Sequence, residues 1–234
     1  MKIKSILAIL IFLVYSAAGQ DFKEVKTAQD VVDNYLKAIG GEDAVREVKS
    51  IYTKGKVGDD GSGSVEAYMS RDIMYVNAVT PHVTYVQAID LKNKTGWTQL
   101  TNTVTDMKPE DVEQAVKRAE STLWGNFLDA KDKGITYELM QNENINGNDV
   151  FVVEVKKDGT TTGTVYFDSK TFYKVKETRG NNTTEFSDFN KVGSSGVVMP
   201  HKIISAMSDV TATEIEFNTK FDKKRLKKPV EKVQ

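Results

Sequence analysis

The chain has 234 residues, with 32 Lys and Arg against 33 Asp and Glu, so it lacks the basic excess that marks a nucleic-acid binder. At 39% apolar and 9% aromatic residues it has the makings of a core, unlike a disordered or collagen-like chain. Cysteine is absent, which excludes disulfides, thiolate zinc sites, iron–sulfur clusters and cysteine nucleophiles, and there are only two histidines.

Residues 1–20 have the pattern of a secretory signal peptide. Lys2 and Lys4 supply a basic start, residues 6–14 are uninterruptedly apolar, and Ser16-Ala17-Ala18 supplies small residues for cleavage between Ala18 and Gln20. The apolar run is short of the ~20 residues that a membrane span needs. No cysteine follows the small residues, so a lipoprotein anchor at this site is excluded. Removing residues 1–20 takes away two lysines and leaves a formal charge of −3. The chain is expected to be exported to the periplasm, with secretion as the alternative.

Residues 27–39 carry Ala28, Val31, Val32, Tyr35, Leu36 and Ile39 at the spacing of one helix face. Thr27 and Asp30 stand in capping-box positions, and Gly40-Gly41 offers a left-handed stop. A short helix is expected over 42–48. From Ser50 the period becomes two, and runs at 65–71, 73–79, 83–89 and 95–100 are rich in Val, Tyr, Ile and Thr. Their short separations favour an antiparallel meander over βαβ crossovers. Pro109-Glu110-Asp111 opens another helix, with acids toward the N-terminal end of its dipole. A further helical stretch is expected at 121–130, stopped by Gly134. Strand patterns then run to residue 217, with tight turns at Asn146-Gly147 and Asp158-Gly159. The pattern predicts a mainly β, α+β fold over residues 21–234, with a basic C-terminal tail. Its centre is a strongly curved antiparallel sheet of about eleven strands with helices on the concave face.

Several ordered patches resemble the LolA-like family of exported outer-membrane lipoprotein-sorting proteins, in its Bacteroidetes form. They are Tyr35-Leu36-Lys37-Ala38-Ile39-Gly40-Gly41, Val48-Lys49-Ser50-Ile51, Lys94-Thr95-Gly96-Trp97, residues 143–151, residues 165–171 and Val198-Met199-Pro200-His201-Lys202-Ile203. The resemblance implies that the curved sheet is an incomplete β-barrel, half-open, with lid helices over an apolar cavity. It also implies a carrier for an acyl-chain-bearing lipid or lipoprotein, exchanging cargo with membrane-anchored donor and acceptor proteins. The family's lid arginine and partner-binding residues have no counterpart that can be placed here.

The residues themselves offer little chemistry. A Gly-x-Ser-x-Gly elbow, a metal-binding histidine pair, a calcium loop and phosphate-binding glycine motifs are all missing. The acidic pairs Glu42/Asp43 and Glu110/Asp111 read as helix-dipole compensation. The candidate site is an apolar lining drawn from Met69, Trp97, Trp124, Phe127, Leu128, Phe151, Val153, Phe167, Met207, Ile215 and Phe217, with no catalytic residue, metal or cofactor. Whether those side chains enclose a cavity or fill a core stays open at this point. Three readings follow: a monomeric lipid or lipoprotein carrier, a partner-binding domain with a filled core, and a hydrolase with a sparse site.

Overall fold

The computed structural model describes residues 21–58, 60–119, 124–206 and 208–229. The expected signal peptide, Met207 and the start of the helix expected at 121–130 lie outside the described residues. The elements are α1 (Ala28–Ala38), α2 (Glu42–Arg46), β1 (Ser50–Val57), β2 (Gly63–Ser70), β3 (Ile73–Val79), β4 (Thr84–Asp90), β5 (Thr95–Leu100) and β6 (Thr103–Asp106). Then follow α3 (Pro109–Ala119), β7 (Ile135–Leu139), β8 (Glu143–Ile145), β9 (Asn148–Lys157), β10 (Thr160–Asp168) and β11 (Lys174–Arg179). The chain continues through β12 (Asn182–Lys191), β13 (Val198–Ser205) and β14 (Asp209–Phe217).

All strands join one antiparallel sheet of fourteen, in the order β6-β5-β4-β3-β2-β1-β14-β13-β12-β11-β10-β9-β7, with β8 also on β9. That exceeds the expected count of about eleven. Among the strands that alternation did not reveal are β6 and β8, which are short and carry mostly polar residues. The sheet is not closed: β6 ends one side and β7 the other. The pair of β1 with β14 joins the two halves of the chain.

Helix α1 begins and ends as its sequence dictates. Asp30 N–H donates to Thr27 Oγ1 at 3.2 Å, and Thr27 N–H donates to Asp30 Oδ2 at 2.8 Å, closing the capping box. At the other end Gly41 N–H donates to Leu36 O and Gly40 N–H to Lys37 O, the paired bonds of a Schellman stop. Both glycines have positive φ, but only Gly40 is also crowded. A Cβ there would lie 2.9 Å from the carbonyl oxygen of Gly196, where the β12–β13 loop passes under the helix end. Buried Asn34 exchanges two hydrogen bonds with the backbone of Lys23, which ties the preceding segment to α1.

The apolar face of α1 packs on the second half of the sheet. Val31, Val32, Tyr35 and Ile39 share one core with Val153, Val165, Phe167 and Val197. Helix α3 forms a smaller core, placing Val112 and Ala115 on Ile89 and Leu91. Register puts Phe217, Ile51, Met69, Met74 and Ile89 in one row on this helix-bearing face. The opposite face carries Tyr52, Tyr68, Tyr75, Ala88 and Trp97.

The C-terminal segment covers that opposite face. The Phe221 ring lies 4.7 Å from that of Tyr68, and the Trp97 indole donates to Leu226 O at 2.9 Å. Arg225 pairs with Glu66 at 2.7 Å, and Lys228 with Asp106 at 2.8 Å. The basic tail expected from the sequence is therefore docked on the sheet as far as Lys228.

Gly40→Ala should cost clearly more stability than Gly41→Ala in urea unfolding. Both lose a left-handed glycine, worth about 1 kcal/mol, but only Gly40 adds a clash with backbone. Equal losses would show that the β12–β13 loop gives way freely.

Candidate functional site

Between α1, the turn segment 124–130 and strands β11–β13 lies an open-sided pocket of about 480 Å³. Tyr35 and Ile39 of α1, with Trp124 and Phe127, form one wall. Phe186 and Phe189 of β12, with Met199 and Ile203 of β13, form the facing wall, and Ile51 and Met74 reach in from β1 and β3. Strands β3 and β11 are six places apart in the sheet, about 29 Å if it were flat. Side chains from both line this one pocket, so the sheet curls around α1.

Local backbone supplies part of the lining. Phe186 and Phe189 are three residues apart and would face opposite sides of a regular strand. Between them Asp188 has φ +56°, and both rings line the pocket. The segment expected as a helix at 121–130 is, over its described part, a set of hydrogen-bonded turns. Trp124 at φ +61° and Asp129 at φ +55° interrupt helical geometry. A bulky residue with positive φ is a conformational outlier, held only where surroundings over-determine it. Here the Lys133 ammonium donates to Gly125 O and Leu128 O, the Tyr137 hydroxyl donates to Asn126 O, and Arg46 pairs with Asp129 at 2.6 Å.

One charged group of side chains enters the apolar lining. Lys174 and Glu177 pair at 2.9 Å with side-chain exposures of only 21% and 19%. The Lys174 ammonium also sits 4.2 Å from the centre of the Phe186 ring. Burial alone would raise the Glu177 carboxyl, but Lys174 and then Arg179 outweigh it and hold it below its ordinary value. Burial pushes the Tyr35 phenol well above its usual range. Beyond Asn126 and Arg179, which line both spaces, a wider cleft of about 1130 Å³ adjoins the pocket. No group of three potential metal ligands occurs among the described residues. No helix among them is long and apolar enough to cross a membrane.

The residues expected as lining divide into several places. Trp124 and Phe127 border the pocket. The Phe217 ring lies 6.5 Å from Trp124, behind that wall. Val153 and Phe167 are fully buried in the α1 core, and Phe151 stacks on Phe172 at 5.5 Å. Leu128 is buried and borders the wider cleft. Met69 is on the helix-bearing face in the row of Ile51, and Ile215 pairs with Thr53. Trp97 faces the other way, beneath the C-terminal segment, because it stands at the opposite strand parity from Ile89 and Met74. Met207 is outside the described residues. Residues the sequence reading passed over include Tyr35, Phe186 and Phe189. Tyr35 read simply as part of a helix face, and Phe186 with Phe189 breaks strand alternation.

No family model matches the sequence, and no curated protein matches it. Solved structures similar to it include a DUF1329 family protein from Desulfovibrio piger, at 14% identity and TM-score 0.49, covering 86% of this chain and 97% of that one. A LolA superfamily protein from Nitrosomonas europaea is 13% identical with TM-score 0.48, covering 87% and 99%. A domain from Vibrio parahaemolyticus described as an outer membrane lipoprotein-sorting protein is 12% identical with TM-score 0.46, covering 85% and 95%. At these identities and TM-scores, none of them transfers a role to an individual residue.

Glu177→Gln leaves the Lys174 ammonium without its carboxylate in a mostly buried place and should cost about 1–3 kcal/mol. Replacing both by apolar residues, Lys174→Met with Glu177→Leu, should restore most of that loss. Because the folded carboxyl is depressed, the pair's contribution is complete above the unfolded value near ~4 and disappears as pH falls through the folded one. Urea titrations from pH 7 to pH 3 should therefore cost the wild type more than the doubly apolar variant.

Proposed function

We propose that this chain is an exported, non-catalytic carrier that holds the acyl chain of a lipid or acylated protein in the pocket beside α1. The observation carrying this reading is a ring of large, half-buried apolar side chains around unfilled space: Trp124, Phe127, Phe186, Phe189 and Ile203. Such surface gains about 25 cal/mol for each Å² that a ligand removes from water. The pocket's volume of about 480 Å³ lies within the usual range for small-ligand sites, about 300–1,000 Å³. The pocket is open-sided and its edges belong to different elements, so a chain can enter from the side between the 124–130 turn and strands β12 and β13.

In this reading residues 1–20 direct export to the periplasm, and residues 21–234 act as one monomeric unit without a cofactor. Cargo comes from a donor and passes to an acceptor at the membranes. The sequence resemblance to lipoprotein-sorting proteins agrees with that role. A serine hydrolase of the triad type would need its nucleophile beside a histidine base. Its two histidines stand apart, His82 in an exposed turn and His201 on β13 with Nδ1 3.2 Å from Met199 O.

The chain has two tryptophans, so Trp97→Phe leaves Trp124 as the sole indole reporter. Titrating a long-chain fatty acid into that variant should shift and saturate the Trp124 emission. Phe186→Asp or Ile203→Asp in the same background should weaken binding at least about tenfold, since a carboxylate is costly in an apolar site. Saturable binding that ignores both substitutions would place the ligand elsewhere, and an unresponsive Trp124 would contradict the carrier reading.

A further inference from the structure

The wider cleft next to the apolar pocket has a charge unlike the rest of the molecule. The whole chain is balanced, with 32 basic and 33 acidic residues. The cleft is lined by eight Lys and Arg residues and only three Asp and Glu. The imbalance therefore comes from where the fold gathers side chains, not from composition. Lys49 follows α2, Arg71 stands in the β2–β3 turn, Lys92 in the β4–β5 turn, and Lys157 at the end of β9. These positions are dispersed in sequence, and the curled sheet brings them to one mouth.

Two details sharpen this. Arg46 is already paired with Glu42 and Asp129, Lys117 with Glu113 and Arg179 with Glu177, so the uncompensated charge is smaller than the count and centres on turn residues such as Arg71 and Lys92. The turns holding Arg71 and Lys92 are fastened together by Leu91 N–H donating to Asp72 O at 2.8 Å. Both side chains are exposed, and neither has a carboxylate within salt-bridge distance among the described residues. A concave surface of one sign focuses its field and concentrates counter-ions of the other. Asn126 and Arg179 line both spaces, so the cationic cleft lies next to the apolar pocket.

We infer that the cargo is an anionic amphiphile, with its acyl chain in the apolar pocket and its phosphate-bearing head group in the cationic cleft. This rests on the carrier reading and specifies the ligand. Apolar burial supplies affinity for any chain. The cleft supplies discrimination, because a negative head group is drawn to the Lys and Arg side chains while a zwitterionic one brings its own cation against them.

The test uses the mature chain and calorimetric titration with three probes: a short-chain phosphatidylglycerol, a phosphatidylcholine with the same acyl chains, and inorganic phosphate. At low salt phosphatidylglycerol should bind about tenfold tighter than phosphatidylcholine, because basic residues attract an anionic head group. The difference should shrink as added salt shortens the screening length. Arg71→Glu with Lys92→Glu, both at exposed turn positions, should bring phosphatidylglycerol down to the phosphatidylcholine level. Arg71→Gln with Lys92→Gln should remove part of the preference. Equal affinity for the two lipids, unaffected by these substitutions, would overturn this inference and leave the carrier reading standing. Binding of neither lipid would overturn both. Inorganic phosphate binding as tightly as phosphatidylglycerol would assign the cleft to a free anion and likewise overturn the inference.

Discussion

A few short helices must cover one face of a very wide sheet, and the rest of the structure follows from that mismatch. Helix α1 has eleven residues, about 16 Å of length, set against fourteen strands. A flat sheet would leave most of its inner face in water. Curling around α1 buries Val153, Val165 and Phe167 completely or nearly so, and the C-terminal end of α1 meets β13 where Val198 N–H donates to Ile39 O at 2.9 Å, but part of the β12–β13 face is left uncovered. The apolar side chains left there, Phe186, Phe189 and Ile203, border the pocket. The open-sided space beside α1 is a consequence of this architecture.

Two features hold the curl in place. The first is the seam between β1 and β14, where the register slips between Lys54 and Gly55. A Cβ on Gly55 would stand 2.4 Å from Thr211 O, so only glycine allows the strands to approach so closely there. The second is the C-terminal segment on the opposite face, where Phe221 sits on Tyr68 and Tyr75 and the backbone of Leu226 accepts the Trp97 indole hydrogen. That segment covers aromatic surface which curling alone would leave exposed. It also explains a basic tail in a chain of balanced charge: Arg225 and Lys228 answer Glu66 and Asp106 on the sheet.

The ends of α1, the helix at Pro109 and most strands were legible because they rest on local chemistry, such as caps, glycine stops and period-two alternation. The antiparallel pairing followed from short connections. The site was harder to read because it depends on parity and on backbone exceptions. Trp97 looked like a lining residue by type, but strand parity turns it to the other face. Phe186 and Phe189 share the pocket through the positive φ at Asp188, which no hydrophobic pattern encodes. Trp124 and Phe127 read as a helix stripe and occupy a turn, although they still reach the pocket. The cationic cleft was invisible because its residues come from turns far apart in sequence and only the curled sheet assembles them.

The central claim is that an acyl chain occupies the space between α1, Trp124 and the β12–β13 wall. It is tested most directly by crystallising the mature protein with a fatty acid carrying a terminal bromine and locating the bromine by anomalous scattering. The account predicts a single strong peak within contact distance of Trp124, Phe186 and Ile203, lost when Phe186 is replaced by aspartate. A peak on the outer face near the C-terminal segment, or on the exposed edge of β6 or β7, would contradict it.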